Sequence, residues 1–269
     1  MSRYRMTMEI FGSPLWYAKN WAKQVTRSGA FRKAPTVDRF GSPSSKCSLD
    51  LLPSVNVLVP TRLCRIMAWY GSDKGAGWHN YTTIYSRLFR EFQFRDIALL
   101  ELGLGTNNPH LPSTMGVDGR PGASLRGWRD AFPRSRVYGA DIDRNILFQD
   151  EKITTYYCDQ LDRTAIGAMW QEDGIRDGVD ILIEDGLHTF DANTTFLEES
   201  LAHLKPGGFY VIEDVATSLL PQWRERIESL YVGRFHGTQI AVVSIPNHLN
   251  SVDNNLIIIQ RTMSPGGEL

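Results

Sequence analysis

Two stretches hold most of the residues that could do chemistry. In "ILIEDGLHTF" (Ile181 to Phe190) an apolar run ends in Glu184 and Asp185, and His188 follows three residues later. In "YVIEDVATS" a second apolar run ends in Glu213 and Asp214. Carboxylates are hard oxygen ligands, so Asp185, Glu213 and Asp214, converging from adjacent strand ends, suit Mg²⁺. His188 supplies an imidazole, the side chain suited to accept a proton from a hydroxyl that would otherwise stay protonated. Glu184 precedes Asp185 and by strand alternation points to the opposite face, where a structural role is expected. Acids at strand–helix junctions are also common helix caps. The weight therefore rests on the combined set and on no single residue.

A second constellation lies upstream. "LLELGLG" places Glu101, Gly103 and Gly105 after an apolar run. Glycines at such a position let the backbone approach a ligand, and the helix that follows offers free N–H groups. The spacing is not GxGxxG and no GK[ST] follows, which weakens dinucleotide and P-loop readings. The next run ends in "YGADID", where Asp141, with Asp143 in reserve, could accept both ribose hydroxyls of a nucleoside. The run after that ends in "CDQLD", where Asp159 and Gln160 could meet an adenine edge. Ser124 opens "SLRGW" and is a further candidate contact, or a plain N-cap.

The elements that must position these residues are short apolar runs, each closed by a glycine or an acid. They are "IALLELGLG", "RVYGADID", "ITTYYCD", "GVDILIEDG" and "GGFYVIEDV". Helical stretches such as "SLRGWRDAF", "RTAIGAMWQE" and "ANTTFLEESLAHL" separate several of them, which predicts βαβ units and a parallel sheet covered on both faces. In such sheets ligands bind beyond the carboxyl ends of the strands, where these acids would gather. The tail, "TQIAVVSIP…NNLIIIQRT", offers two strands joined without a helix, an antiparallel finish. Upstream, "PTRLCRIMAWYG" predicts a helix with Pro60 at its start and Gly71 past its end. "HNYTTIYSRLFREF" puts Tyr81, Ile84, Tyr85, Leu88 and Phe89 on one apolar helical face.

These motifs resemble the class I S-adenosylmethionine-dependent methyltransferases over roughly Ala76 to Arg261. The resemblance is closest to the metal-dependent O-methyltransferases that modify sugars and macrolides in antibiotic biosynthesis. It is carried by "GSDKG…HNYTTIYSRLF", "LLELGLG", "GASLRGWRDAFPRSRVYGADID", "CDQLD", "LIEDGLH" and "GGFYVIEDV". It implies a Rossmann-like α/β fold with a seven-stranded, mostly parallel sheet whose last strand is antiparallel. It implies S-adenosylmethionine contacts at Glu101, Gly103, Asp141, Asp159 and Gln160, and sets His79 and Tyr81 near that cofactor. The family's D-x-x-H and following acidic pair fall on Asp185, His188, Glu213 and Asp214, so the three acids would bind the metal and His188 would be the base. The stretch "NNPHLPSTMGVDGRP" departs from the family in length.

Composition narrows the rest. The 269 residues are 42% hydrophobic and 22% charged, ordinary for a globular chain. No apolar run reaches the ~18–20 residues of a membrane span, and the N-terminus lacks the continuous apolar region of a secretory signal. Cys47, Cys64 and Cys158 have no CxxC spacing, so neither a disulfide framework nor a zinc site is expected, and a cytoplasmic setting fits. The first fifty residues carry nine Lys/Arg against three Asp/Glu. No nucleic-acid signature accompanies that charge, and a solvated extension is the simpler reading. Residues 1–75 are thus expected to form a basic, partly helical extension or lid, with a helix in "SPLWYAKNWAKQV" and a loop over "RSGAFRKAPTVDRFGSPSSK". Trp16, Tyr17, Trp21 and Phe31 there could cover an acceptor site or make a subunit interface. Residues 76–269 would be the catalytic domain.

The expectation is an O-methyltransferase acting on a small-molecule or glycan hydroxyl, with S-adenosylmethionine and Mg²⁺ as cofactors, no nucleic-acid partner and a homo-oligomeric state. Three rivals stand beside it. One is a non-catalytic module that binds S-adenosylmethionine or carbohydrate. Another is an iron oxygenase on the same fold, which would need two histidines and one carboxylate, whereas only His188 sits among the acids. The third is an NAD-dependent dehydrogenase, disfavoured by the missing GxGxxG.

Overall fold

The computed structural model describes residues 34–41, 47–75 and 77–262. In chain order its main elements are β1 (Thr36–Phe40), α1 (Arg62–Tyr70), α2 (Tyr81–Leu88), β2 (Ala98–Leu102), α3 (Ala123–Ala131), β3 (Arg136–Asp141), β4 (Gln149–Asp150) and β5 (Ile153–Tyr157). They continue with α4 (Arg163–Met169), β6 (Val179–Glu184), α5 (Phe190–Ser200), β7 (Leu204–Ile212), α6 (Leu220–Arg226), β8 (Thr238–Ser244) and β9 (Asn255–Arg261).

The strands form one sheet in the order β1-β8-β9-β7-β6-β2-β3-β5-β4. Its centre, β5-β3-β2-β6-β7, is parallel. The outer pairings, β7 with β9, β9 with β8, β8 with β1 and β5 with β4, are antiparallel. From β2 the chain winds outward through β3 to β5, then crosses back to β6 on the other side. The strand order therefore reverses between β2 and β6, and a crevice opens beyond their carboxyl ends.

Side-chain alternation builds two cores from this sheet. Leu99, Val137, Ile181, Ile183 and Val211 point to one face and meet α1, α2 and α3 through Met67, Ile84, Leu125 and Trp128. Leu100, Leu102, Ala140, Leu182 and Ile212 point to the other and meet α4, α5 and α6 through Ile166, Phe196 and Trp223. The same parity sends Glu101 and Glu213 to the first face and Glu184 to the second.

The expected antiparallel finish is present as β8 and β9, but the sheet has nine strands among the described residues where seven were expected. The additional two are edges. β4 is a two-residue pairing with β5. β1 falls inside the stretch expected to be a loop. Thr36–Phe40 pairs along its length with β8, and Asp38 accepts two bonds from Arg224 (2.9 and 2.7 Å). Its partners lie about two hundred residues away, so no local pattern announces it. The expected helix over residues 13–25, with Trp16, Tyr17, Trp21 and Phe31, lies outside the described residues.

Helix α1 begins at Arg62, two residues later than Pro60 suggested. Thr61 is its N-cap, accepting from the Cys64 N–H at 3.3 Å, and Gly71 closes it at φ +88°. The three cysteines are free and buried, and burial pushes the Cys158 thiol up to about 12, in keeping with an inert side chain. No described helix is long and apolar enough to cross a membrane.

Candidate active site

The carboxyl ends of β2, β3, β5, β6 and β7 surround a cavity of about 450 Å³. That volume lies within the range of small-molecule sites. At one end Asp141 accepts the Leu104 N–H on one oxygen (2.7 Å) and the Asp143 N–H on the other (2.8 Å). Each oxygen keeps a lone pair for a ligand. Burial raises its pKa, and the two backbone donors oppose that. Asp143, the reserve candidate, has a different task. It accepts the Thr106 hydroxyl and caps the turn at 144–146 through the Asn145 N–H, and it is absent from the cavity wall. The Thr106 hydroxyl holds the Asp143 carboxyl below its usual range.

Glu101 borders the cavity but is 1% exposed and already engaged. It accepts the Ser124 hydroxyl and the Trp128 indole N–H. Ser124 is therefore not the cap of α3, a position held by Gly122. Asp159 accepts the Leu161 N–H (2.9 Å) at the rim. Gln160 spans two strands, donating to Glu184 and accepting the Leu187 N–H at 2.8 Å. Ile142 and Leu161 leave apolar side chains exposed beside these polar groups.

The two glycines of the β2 turn differ in what they answer to. Gly103, at φ +93°, faces the Asp185 carbonyl, which a Cβ would meet at 1.9 Å. Gly105, at φ +78°, faces the Met115 thioether. Close approach is the reason for both, and at both positions the approaching atoms belong to the chain. Met115 lies in the long insertion, which is a folded loop: Asn107 donates to the Gly116 and Gly119 carbonyls (2.7 and 2.9 Å) and the Met115 N–H to the Thr106 carbonyl (2.9 Å). Pro112, Ser113, Thr114, Met115 and Arg120 of this loop border the cavity.

At the other end the acids gather. Asp185, His188 and Asp214 each bring one ligand atom within 4.8 Å of the others. His188 Nε2 is 3.9 Å from Asp185 and 3.8 Å from Asp214. His188 and Asp214 are both held in the left-handed region, at φ 58° and 53°. Such residues cost on the order of 1 kcal/mol or more and concentrate at functional sites. Glu213 is turned inward, where Tyr85 and Lys74 donate to it. Glu184 lies on the opposite face as expected, fully buried, accepting from Gln160, Asn193 (2.7 Å) and Tyr210 (3.2 Å).

Two members of this cluster, Lys74 and Tyr85, went unassigned in the sequence, and two expected near the cofactor, Tyr81 and His79, lie against Asp214. Lys74 pairs with Asp185 and Glu213 and lies 3.7 Å from Glu101. Burial works to lower its pKa, but Asp185, Glu101 and Glu213 outweigh it and keep the side chain an ammonium. Tyr85, expected only as part of an apolar helical face, aims its hydroxyl at Glu213. Tyr81 donates to Asp214 at 2.7 Å. His79 stacks on Tyr81 with ring centroids 4.6 Å apart and places Nε2 3.6 Å from Asp214. The Asn254 amide donates to Asn80 and to the Ile245 carbonyl, leaving its oxygen, 3.2 Å away, to accept from His79 Nδ1. The Asn250 amide nitrogen lies 3.3 Å from the same Nδ1, and Nε2 faces the Asp214 carboxylate. Burial pushes the Asp185 carboxyl up to about 6 against the pull of Lys74. Burial also works to raise Asp214, but His79 and His188 outweigh it and hold that carboxyl below its ordinary value.

The parallel centre, the antiparallel last strand and the acids at successive strand ends make this the class I methyltransferase fold. A solved structure titled MycE methyltransferase from the mycinamycin biosynthetic pathway, in complex with Mg and SAH, superposes with a TM-score of 0.57 at 24% identity. The match covers 80% of this chain and 59% of that one. Among curated proteins, the 8-demethyl-8-(2-methoxy-alpha-L-rhamnosyl)-tetracenomycin-C 3'-O-methyltransferase of Streptomyces olivaceus is 31% identical over 175 residues, 65% of this chain and 42% of that protein. Demethylmacrocin O-methyltransferase of Streptomyces fradiae is 33% identical over 153 residues, 56% of this chain and 36% of that protein. The chain thus spans about two fifths of the length of the curated relatives it matches. No family model matches it.

Proposed function

We propose that this protein transfers a methyl group from S-adenosylmethionine to a hydroxyl of a sugar or glycosylated metabolite, assisted by a divalent cation, with His188 as general base. The observation that carries this reading is one cavity with Asp141 at one end and Asp185, His188 and Asp214 at the other. The names of the relatives support O-methylation, and the rhamnosyl acceptor named for one of them supports a glycosylated substrate.

The residues fit both groups. Each oxygen of Asp141 has a lone pair to accept a ribose hydroxyl, and Ile142 and Leu161 offer apolar surface to a base. Bound there, S-adenosylmethionine supplies an electrophilic methyl carbon beside a positive sulfur. The acid-rich wall favours that charge. Asp185 and Asp214 suit a hard divalent cation, with Glu213 as third ligand once its carboxylate turns from Lys74. The cation would lower the pKa of a hydroxyl brought against it. His188 Nε2 then takes the hydroxyl proton, and the neighbouring carboxylates of Asp185 and Asp214 stabilise the resulting imidazolium. Tyr81, donating to Asp214, fixes the direction of that carboxylate.

The oxygenase rival gains one fact, since His79 also lies against Asp214. The trio that converges among the described residues nevertheless contains one histidine and two carboxylates.

Calorimetric titration with S-adenosylmethionine beside NAD⁺, followed by methyl-transfer assays on deoxysugar acceptors with Mg²⁺, tests the reading. Saturable binding of S-adenosylmethionine alone is expected, and NAD⁺ binding in its place would overturn the assignment. His188→Ala is expected to lower kcat by about 10²-fold or more while binding S-adenosylmethionine as before. Unchanged turnover in that variant refutes the base.

A further inference from the structure

Lys74 is a buried cation in the cavity wall that the proposed chemistry leaves unused. Its side chain is 3% exposed, and its ammonium lies against acids from three strand ends: Glu101, the penultimate residue of β2, at 3.7 Å, Asp185 after β6 and Glu213 after β7. Its backbone is held on both sides, the carbonyl by the Thr82 N–H (3.1 Å) and the N–H by the Ser72 hydroxyl (3.4 Å). The ammonium is therefore aimed, and only the side chain is free to swing. Three carboxylates without it would converge uncompensated in a region of low dielectric, which is unfavourable.

Two of these partners are acids assigned above to a divalent cation. An ammonium and a divalent ion are alternative occupants of one negative cluster, satisfied by the same oxygens. The structure shows the division under Lys74: Glu213 is turned to Lys74 and Tyr85, and the group of ligand atoms within 4.8 Å is Asp185, His188 and Asp214.

We propose that Lys74 is a built-in counter-cation for the metal cluster. It keeps Asp185 and Glu213 converged while no divalent ion is bound, and yields a carboxylate when one enters. The inference rests on the metal assignment made above. It makes Lys74 a positioning residue that sets the affinity of the site below what freely available carboxylates would give. It also couples the two halves of the cavity, because an ammonium displaced from Glu213 or Asp185 retains Glu101 as its partner on the cofactor side.

The test is calorimetric titration of Mn²⁺ into the full chain as wild type, Lys74→Met and Lys74→Gln, with thermal unfolding of each followed with and without Mn²⁺. Removing one positive charge from the cluster is expected to tighten Mn²⁺ binding on the order of tenfold or more. The variants are expected to unfold at lower temperature without metal and to gain more from Mn²⁺ than the wild type does. A variant that folds only when Mn²⁺ is added supports the inference equally. Unchanged Mn²⁺ affinity in a folded variant, beside a wild type that binds, overturns the role of Lys74 alone. Variants that Mn²⁺ cannot refold overturn it as well. Absence of Mn²⁺ binding from wild type and variants together overturns the metal assignment and this inference with it.

Discussion

Gly103→Ala separates two explanations of the β2 turn. If Gly103 serves only to admit a ligand, alanine should leave the empty protein nearly as stable as before. The structure says otherwise. The added Cβ would sit 1.9 Å from the Asp185 carbonyl oxygen, and real contacts do not fall below 3.0 Å. The ends of β2 and β6 must therefore part by about 1.1 Å, nearly a quarter of the ~4.8 Å between paired strands. Two losses add to that strain. A side chain at φ +93° costs about 1–2 kcal/mol. The bond from the Asp185 N–H to the Leu102 carbonyl (2.8 Å) is the nearest to break, worth about 1 kcal/mol. With the clash itself, a total of about 3–5 kcal/mol is expected. Gly105→Ala is the internal control: its Cβ meets the end of the flexible Met115 side chain, so about 1–2 kcal/mol is expected, chiefly from φ. Urea unfolding of both variants, with m-values compared, reads the difference. A Gly103→Ala protein within about 1 kcal/mol of wild type, or no less stable than Gly105→Ala, refutes the reasoning.

Other outcomes follow from the same geometry. Burial, opposed by bonds from Gln160, Tyr210 and Asn193, pushes Glu184 from 4.5 to about 8. The folded state therefore holds a proton that the unfolded state releases, and this contribution to stability declines as pH rises from about 4.5 to about 8. Glu184→Gln should match wild type near pH 4.5 and exceed it above pH 8 by an order-of-magnitude 4–5 kcal/mol at most; parallel stability curves across that window would sink the assignment. Thr61→Ala removes the cap of α1 and the acceptor of the Ser86 hydroxyl (2.6 Å), and should cost about 1 kcal/mol in chemical unfolding, with Thr61→Ser close to wild type. A neutral Thr61→Ala would show that the end of α1 is held by packing alone.

Much of this protein could be read from sequence, for local reasons. Strand alternation fixed the faces of Glu184, Asp185 and Glu213, because the side-chain period is two wherever a strand forms. Apolar periodicity located α1 and α2, and runs closed by acids located five parallel strands and the rim where their ends meet. The fold class and the convergence of Asp141, Asp185, His188 and Asp214 on one cavity follow from those two regularities and the rule for ligands in parallel sheets.

Only the tertiary structure decided which neighbour each side chain meets, because those partners are separated by long stretches of chain. Lys74 finds Asp185 and Glu213 across 111 and 139 residues, and Tyr85 reaches Glu213 across 128, so neither pairing leaves a local spacing to read. Tyr81 and Tyr85 satisfy an apolar helical pattern equally well whether their hydroxyls face nothing or face acids. Edge strand β1 is specified by β8, about two hundred residues downstream. The β2 glycines carry the same letter in the sequence, yet one is required by backbone and the other by a movable side chain. Sequence determined which residues come to the rim, since strand ends are local features. The folded chain determined which of them are free to act, since that depends on long-range hydrogen bonds and charge pairs.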